Sequence, residues 1–263
     1  LTLIFGVMKI INFAHGEFLM LAMYATFWLF HLYGFDPYLS VIIVVPLMFV
    51  VGMAAYRSII QPIIDAPEVA QVFATLGLNI ALQSLALIFW QADFRAVRTA
   101  YASRLINLGP LFMNFTRFAA FLFAIATIVA LYFFLKRTYM GKAIRASAQN
   151  GIAAQMMGVN LKKIYMISFG IGISIVGLAG AVLIPLYEVF PTIGSFFVLI
   201  TFVVVVLGGM GSLIGALVGG LIIGIIEAAS GFFLAPALKE VVYFIFFVFI
   251  LLLKPTGIFG KKT

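Results

Sequence analysis

The chain has 263 residues, 65% hydrophobic and only 9% charged, against about 25% charged in soluble domains, and apolar runs of about twenty residues recur too often for one buried core, which excludes a soluble protein and implies a polytopic membrane protein. The net charge of +8 does not point to nucleic acid, because the basic residues sit at the ends of apolar runs, where topology and snorkelling account for them. Cysteine is absent and the histidines are only His15 and His31, which excludes disulfide and thiolate chemistry and leaves no expected metal site.

The chain opens on an apolar stub, Leu1 to Met8, much shorter than the roughly twenty residues of a spanning helix, so the N-terminal part of a first span is expected to be missing. No basic n-region of a secretory signal is present. A polar knot follows in KIINFAHGEF, where Asn12, His15 and Glu17 interrupt apolar surroundings; Asn12 and His15 could shape a gate by breaking a helix. A span over Phe18 to Leu32, a turn at Gly34, Asp36 and Pro37, and a span over Tyr38 to Tyr56 come next. Pro62 and Pro67 are expected to prevent a continuous helix in the loop that follows.

The span from about Val69 to Trp90 carries Gln71, Thr75, Asn79 and Gln83 at intervals of four, one polar stripe on a helix that must face protein or water. Interhelical hydrogen bonds of about 0.6 kcal/mol each and contact with a substrate are both open to it. Gln91 to Arg117, with Gly109-Pro110, reads as an external or partly re-entrant loop, and its four arginines run against the positive-inside tendency. A span over Phe118 to Leu135 then leads into Lys136 to Lys163, the longest polar interruption, which holds six of the sixteen basic residues and no acidic one. Lys and Arg near span ends set orientation, so this loop is expected in the cytoplasm. Within it Asn150 can cap a short helix whose Ala153, Ala154 and Met157 share a face, with Gly158 ending it in a left-handed conformation.

Ile164 to Tyr187 is a span rich in small residues, and Gly194 to Leu207 is short for a crossing. In GGMGSLIGALVGGLIIGIIEAASG, Gly211, Gly215 and Gly219 repeat every four residues and Gly220 and Gly224 begin a second pair, a spacing that lets helices approach closely in lipid. Glu227, about midway along that span, is expensive in lipid and should face a cavity or partner, unless it makes a capping or interhelical hydrogen bond. After a turn near Pro236 a last span, about Val241 to Leu253, delivers Lys254, Lys261 and Lys262 to the cytoplasm. Four crossings between the basic loop and the C-terminus satisfy that assignment and place Asp36 and Asp93 to Arg117 outside. The expected fold is all-α, one transmembrane domain over 1–263 with about eight or nine spans.

There is no GxxxxGK[ST], HExxH or GxSxG pattern, so neither nucleotide binding nor hydrolysis is encoded in a known motif. Together, INFAHGEF (Ile11 to Phe18), GKAIRASAQNGIAAQMMGVN (Gly141 to Asn160), GGMGSLIGALVGG (Gly208 to Gly220) and KPTGIFG (Lys254 to Gly260) resemble the permease family of branched-chain amino acid ABC importers, and within it the smaller of two paired permeases. The resemblance implies an inner-membrane subunit that binds no cofactor itself. It would pair with a second permease and receive substrate from a periplasmic or extracellular binding protein. It would also dock two cytoplasmic ATPases, which hold ATP and Mg, through Asn150 to Gly158, with Lys142 and Arg145 flanking the contact. Urea and short-amide permeases share the family. An ion-coupled transporter using Glu227 and an intramembrane hydrolase using His15 and Glu17 are the alternatives from the residues alone.

Overall fold

A computed structural model of the chain describes residues 1–109, 111–234 and 238–260; Pro110, Pro236, Lys261 and Lys262, which entered the turn and topology expectations, lie outside the described residues. Among the described residues there are eleven helices and one small hairpin: α1 (Thr2–Met8), α2 (His15–Tyr33), α3 (Pro37–Ile63), α4 (Glu68–Trp90), β1 (Leu105–Leu108), β2 (Leu111–Asn114), α5 (Phe115–Arg137), α6 (Tyr139–Gln149), α7 (Gly151–Met156), α8 (Leu161–Leu183), α9 (Ile193–Gly208), α10 (Leu213–Phe233) and α11 (Lys239–Leu253). Five of these, α3, α4, α5, α8 and α10, are long and apolar enough to cross a membrane. The 16 residues of α9 and 15 of α11 fall short of the roughly twenty a full crossing needs.

The helices divide by what covers them. In α8, 56% of the most apolar stretch is buried inside the protein, whereas in α5 only 6% is, so α8 is the axis of the core and α5 offers nearly all its surface to lipid or a partner. Small residues explain why α8 sits at the centre. A Cβ on Gly170 would press on Phe49 and Met53, one on Gly177 on Met48, and one on Gly180 on Ala22, so α3 and α2 lie against a surface of bare backbone. Phe18, Tyr24, Tyr56 and Phe169 fill the space between them.

Three local features differ from the sequence reading. Pro62 does not stop α3, because the helix widens into a π turn over Tyr56–Ile60, where Gln61 N–H donates to Tyr56 O. The altered register carries the helix through Gln61–Ile63 despite the missing proline N–H, and it ends before Pro67. The loop after α4 contains a β-hairpin in an otherwise helical chain, paired antiparallel from Leu105↔Asn114 to Leu108↔Leu111, with Gly109 at φ 67 next to its turn. Asn114 then caps α5 by accepting from Thr116 N–H at 2.9 Å. Finally, the basic loop holds a second helix, α6, with Gly141, Ala143, Ile144 and Ser147 buried.

One of the four arginines in the loop expected outside has a structural role that accounts for its poor fit to the charge rule. Arg95 pairs its backbone with Val189 in both directions, at 2.9 and 2.8 Å. Its guanidinium lies over Trp28 and Phe27, 5.2 and 5.6 Å from the ring centroids, and 3.7 Å from Asp93. Nearby, Asp36 caps α3 through Tyr38 N–H at 2.8 Å and accepts from the Tyr101 hydroxyl at 2.7 Å. Burial, with the adjacent carboxylate, raises the Tyr101 hydroxyl above its ordinary pKa.

Of the five glycines expected to pack helices, Gly211, Gly215 and Gly219 do so. A Cβ on Gly215 would strike Gly208 O, and one on Gly219 would reach 2.7 Å from Val204 O. Gly211, in the turn before α10 at φ 88, packs against α1, where a Cβ on it would come within 3.3 Å of Gly6 Cα, whereas Gly220 makes only ordinary contact at 3.7 Å and Gly224 meets nothing within 4 Å. The KPTGIFG segment folds back on the same turn, with Ile258 N–H donating to Leu207 O at 2.8 Å and Phe259 N–H to Gly208 O at 3.1 Å. Gly215→Val should therefore split α9 from α10 and cost about 1–3 kcal/mol or more. A lower Tm in detergent than wild type checks this, and an unchanged Tm would contradict the packing.

Candidate functional site

The polar knot and the polar stripe, 60 residues apart in sequence, form one buried centre. Helix α1 ends at Lys9, left-handed at φ 60, and α2 does not begin until His15, so Ile10 to Ala14 run as non-helical backbone within the apolar core. Irregular backbone at such depth needs partners from protein, because lipid offers none. The stripe on α4 supplies them. The Thr75 hydroxyl donates to Ile11 O at 3.2 Å, and Asn79 Nδ2 to Phe13 O at 3.3 Å. The Asn12 side chain, 1% exposed, accepts from Ala14 N–H at 3.1 Å and turns the chain into α2.

Glu17 is the hub of this arrangement. Its side chain is fully buried, and its Oε1 accepts from Asn79 Nδ2 at 3.2 Å and Gln83 Nε2 at 2.9 Å. Gln83 also donates to the Ser195 hydroxyl at 2.6 Å, in the first turn of α9. This joins three helices, α2, α4 and α9, at one carboxylate. Gly16 and Gly194 permit the approach, since a Cβ on Gly16 would strike Gly194 O and one on Gly194 would come within 2.6 Å of the Glu17 carboxylate. The start of α9 is thus set about 10 Å below the end of α4, because Gln83 lies seven residues before Trp90 at 1.5 Å per residue. The positive N-terminal end of α9 faces the carboxylate.

The other sequence candidates sit elsewhere. Gln71 serves the end of α3, donating to Ile64 O and Ala66 O at 3.0 Å each. His15 is buried but, among the described residues, is hydrogen-bonded neither to Glu17 nor to the Ser195 hydroxyl beside it, its Nε2 pairing with the Leu1 amino group at 2.9 Å, so the arrangement lacks the base–nucleophile pairing of His-assisted hydrolysis. Glu227 takes no part in these hydrogen bonds. It lines a cavity of about 570 Å³ with Arg117, Lys239 and Tyr243, where α10 nears its C-terminal end.

In the basic loop, the Asn150 side chain accepts from Ala153 N–H at 3.0 Å and starts α7. Gly158, at φ 85, closes it through Gly158 N–H to Gln155 O at 2.9 Å. Ala153 is exposed and Met157 is 85% exposed, but Ala154 is 4% exposed and turned inward, so the shared outward face expected for the three does not include it. The face is completed instead by Ile152 and Met156. Lys142 is exposed, whereas Arg145 Nε donates to Leu135 O at 3.0 Å, occupying an orphan carbonyl in the last turn of α5 rather than standing free beside α7.

Sequence reasoning missed Ser195, Gly16 and Gly194 as parts of the Glu17 centre. The only signal was a Gly-Ser pair opening a span too short to cross.

No solved structure matches this chain. The family profile described as "Branched-chain amino acid transport system / permease component" matches residues 1–251. The high-affinity branched-chain amino acid transport system permease protein LivH of Escherichia coli K12 is 31% identical, over 99% of this chain and 89% of the relative. BraD of Pseudomonas aeruginosa, described in the same terms, is 28% identical over the same shares. The probable branched-chain amino acid transport permease protein LivH of Methanocaldococcus jannaschii is 29% identical over 99% of this chain and 86% of the relative. The resemblance carried by the four motifs thus extends along the chain, and with its five span-capable helices this multi-pass membrane protein belongs to the family of branched-chain amino acid transport permeases.

Proposed function

We propose that the chain forms part of the translocation path of an ABC importer for branched-chain amino acids, crosses the cytoplasmic membrane eight or nine times and works by alternating access. It pairs with a second permease, receives substrate from a binding protein outside, and is driven by two ATPases docked in the cytoplasm; ATP and Mg belong to those partners. The observation that carries the reading is α7, a separately capped helix at the basic end of the protein. Its Ile152, Met156 and Met157 are 70%, 82% and 85% exposed. Apolar side chains at that density on a polar loop fit a groove in a partner. The buried Glu17 centre supports the same reading, because an interrupted helix clasped by side chains from two others can be re-seated as helices shift.

Uptake into vesicles tests it. Vesicles holding the complete set of partners should accumulate labelled leucine in an ATP-dependent way, and vesicles holding this chain alone should not. Uptake by the chain alone, driven by an ion gradient, would overturn the reading in favour of a secondary transporter. ATP-driven uptake of urea that leucine fails to compete with would move the substrate to the amide branch.

A further inference from the structure

We propose that the cavity between α5, α8, α9, α10 and α11 binds a small zwitterion carrying an aliphatic group, with Glu227 taking the ammonium and Arg117 and Lys239 the anionic oxygens. The site deepens the transport reading above and rests on it for the identity of the ligand as a free amino acid.

The cavity, about 570 Å³, is lined by charges of both signs, Arg117 and Lys239 with Glu227 and Glu240, over walls that include Ala120, Leu183, Phe196 and Ile200. Among the described residues the one ion pair found is Arg95 with Asp93, so none of these four charges is salt-bridged there. Arg117 and Glu240 are exposed and Glu227 and Lys239 half-buried, so charges of both signs stand around the mouth of an apolar-walled cavity, an arrangement that matches a molecule that is itself both cation and anion.

The helix α10 leaves room for such a molecule. Gly224, Glu227, Ala228 and Gly231 recur at i, i+3, i+4 and i+7, so they share one face. Glu227 is then the large side chain on a strip otherwise made of glycine and alanine. A Cβ on Gly231 would strike the Lys239 side chain and come within 3.2 Å of its Nζ, which fixes the ammonium of Lys239 about one turn from Glu227 on that strip. Gly224, one turn deeper, meets nothing within 4 Å and its φ is not positive, so it helps close no helix interface and leaves the aliphatic end of the cavity open.

That openness gives a clean test. Gly224→Leu should fill the cavity without a clash and in a residue better suited to a helix. In the assembled complex in phosphatidylglycerol nanodiscs, labelled leucine should bind to wild type and be lost in Gly224→Leu at unchanged Tm. Glu227→Gln and Arg117→Gln should each weaken it about tenfold. Isoamylamine and 4-methylvalerate, which each keep one of leucine's two charges, should compete about tenfold more weakly than leucine. Leucine binding unaffected by Gly224→Leu and by Glu227→Gln would overturn the proposal. If wild type and Gly224→Leu take up leucine equally, the pocket fails and the transport reading stands. Loss of binding in Gly224→Leu, with no leucine uptake by the wild-type complex, keeps the pocket and removes the reading. Nanodiscs containing phosphatidylethanolamine separate the other source of a zwitterion: lipid retained by wild type but not by Gly224→Leu, with no leucine bound, would assign the pocket to a headgroup and overturn the free amino acid.

Discussion

Replacing Glu17 with alanine should destabilise the protein by about 3 kcal/mol, because the amide nitrogens of Asn79 and Gln83 each lose one of two acceptors in the core, keeping only Phe13 O and the Ser195 hydroxyl, and each buried N–H left unmatched costs about 1–3 kcal/mol. The expected readouts are a lower Tm in detergent and a lower yield of assembled complex. Glu17→Gln retains a side-chain oxygen at the same reach, so Asn79 and Gln83 can still donate to it, and it should cost about 1 kcal/mol. The contrast between the two variants is the informative quantity. If alanine and glutamine were equally mild, the bonds at 3.2 and 2.9 Å would not be holding α2, α4 and α9 together. Gly16→Val tests the same junction from the backbone side: its Cβ would strike Gly194 O, and no rotamer avoids a clash at Cβ. It should be at least as damaging as Glu17→Ala, whereas Gly224→Leu, with space around it, should leave Tm unchanged.

The consequences for mechanism follow from what the stripe on α4 does. Interhelical bonding and substrate contact were both open to Gln71, Thr75, Asn79 and Gln83, and the structure assigns hydrogen bonds within the protein to all four side chains. Their donors serve backbone carbonyls, one carboxylate and the Ser195 hydroxyl; Gln71 holds the end of α3, while Thr75, Asn79 and Gln83 secure the interrupted stretch between α1 and α2 and the start of α2. Any rearrangement that moves α9 relative to α2 must exchange the Gln83 bond to Ser195 or the bonds to Glu17. Under the alternating-access cycle proposed above, the centre is where packed elements would exchange one discrete arrangement for another.

What was legible in the sequence was whatever depends on local pattern. Long apolar runs gave α3, α4, α5, α8 and α10 to within a few residues at most ends, since hydropathy and charge decide a span without knowledge of its neighbours. The Asn150 cap and the Gly158 end of α7 were equally local, each set by a side chain or φ within one turn. What was not legible depends on partners distant in the chain. Gln83 meets Ser195 across 112 residues, and nothing in either segment announces the other. Pro62 was read as a helix stop because a π turn, which accommodates it, has no sequence signature of comparable strength. The glycine repeat was legible as a spacing, but spacing cannot say which glycine faces a helix. Gly215 does, and Gly224 faces open space. Ala154 erred in the same way, since three small residues on a short helix do not reveal which of them the rest of the loop covers.

The orientation of α7 fixes the last expectation. Met157→Glu and Ile152→Glu place a charge on the exposed apolar face, where a groove in an ATPase would have to desolvate it; a buried anchor of this kind is worth about 2 kcal/mol or more, which corresponds to roughly a thirtyfold loss of affinity. Membrane insertion and Tm of the permease should be unchanged, because neither side chain packs against the rest of the chain, while transport and substrate-stimulated ATPase activity of the assembled complex should fall together. Ala153→Glu, also on the exposed side, should act in the same direction. Ala154→Glu should behave differently: the residue is 4% exposed, so a carboxylate there disrupts the loop itself and lowers Tm. If Met157→Glu and Ile152→Glu left stimulated ATPase activity at the wild-type level, α7 would not be where the ATPase engages, and the remaining exposed surface of the basic end, on α6 around Lys142, would have to carry that contact instead.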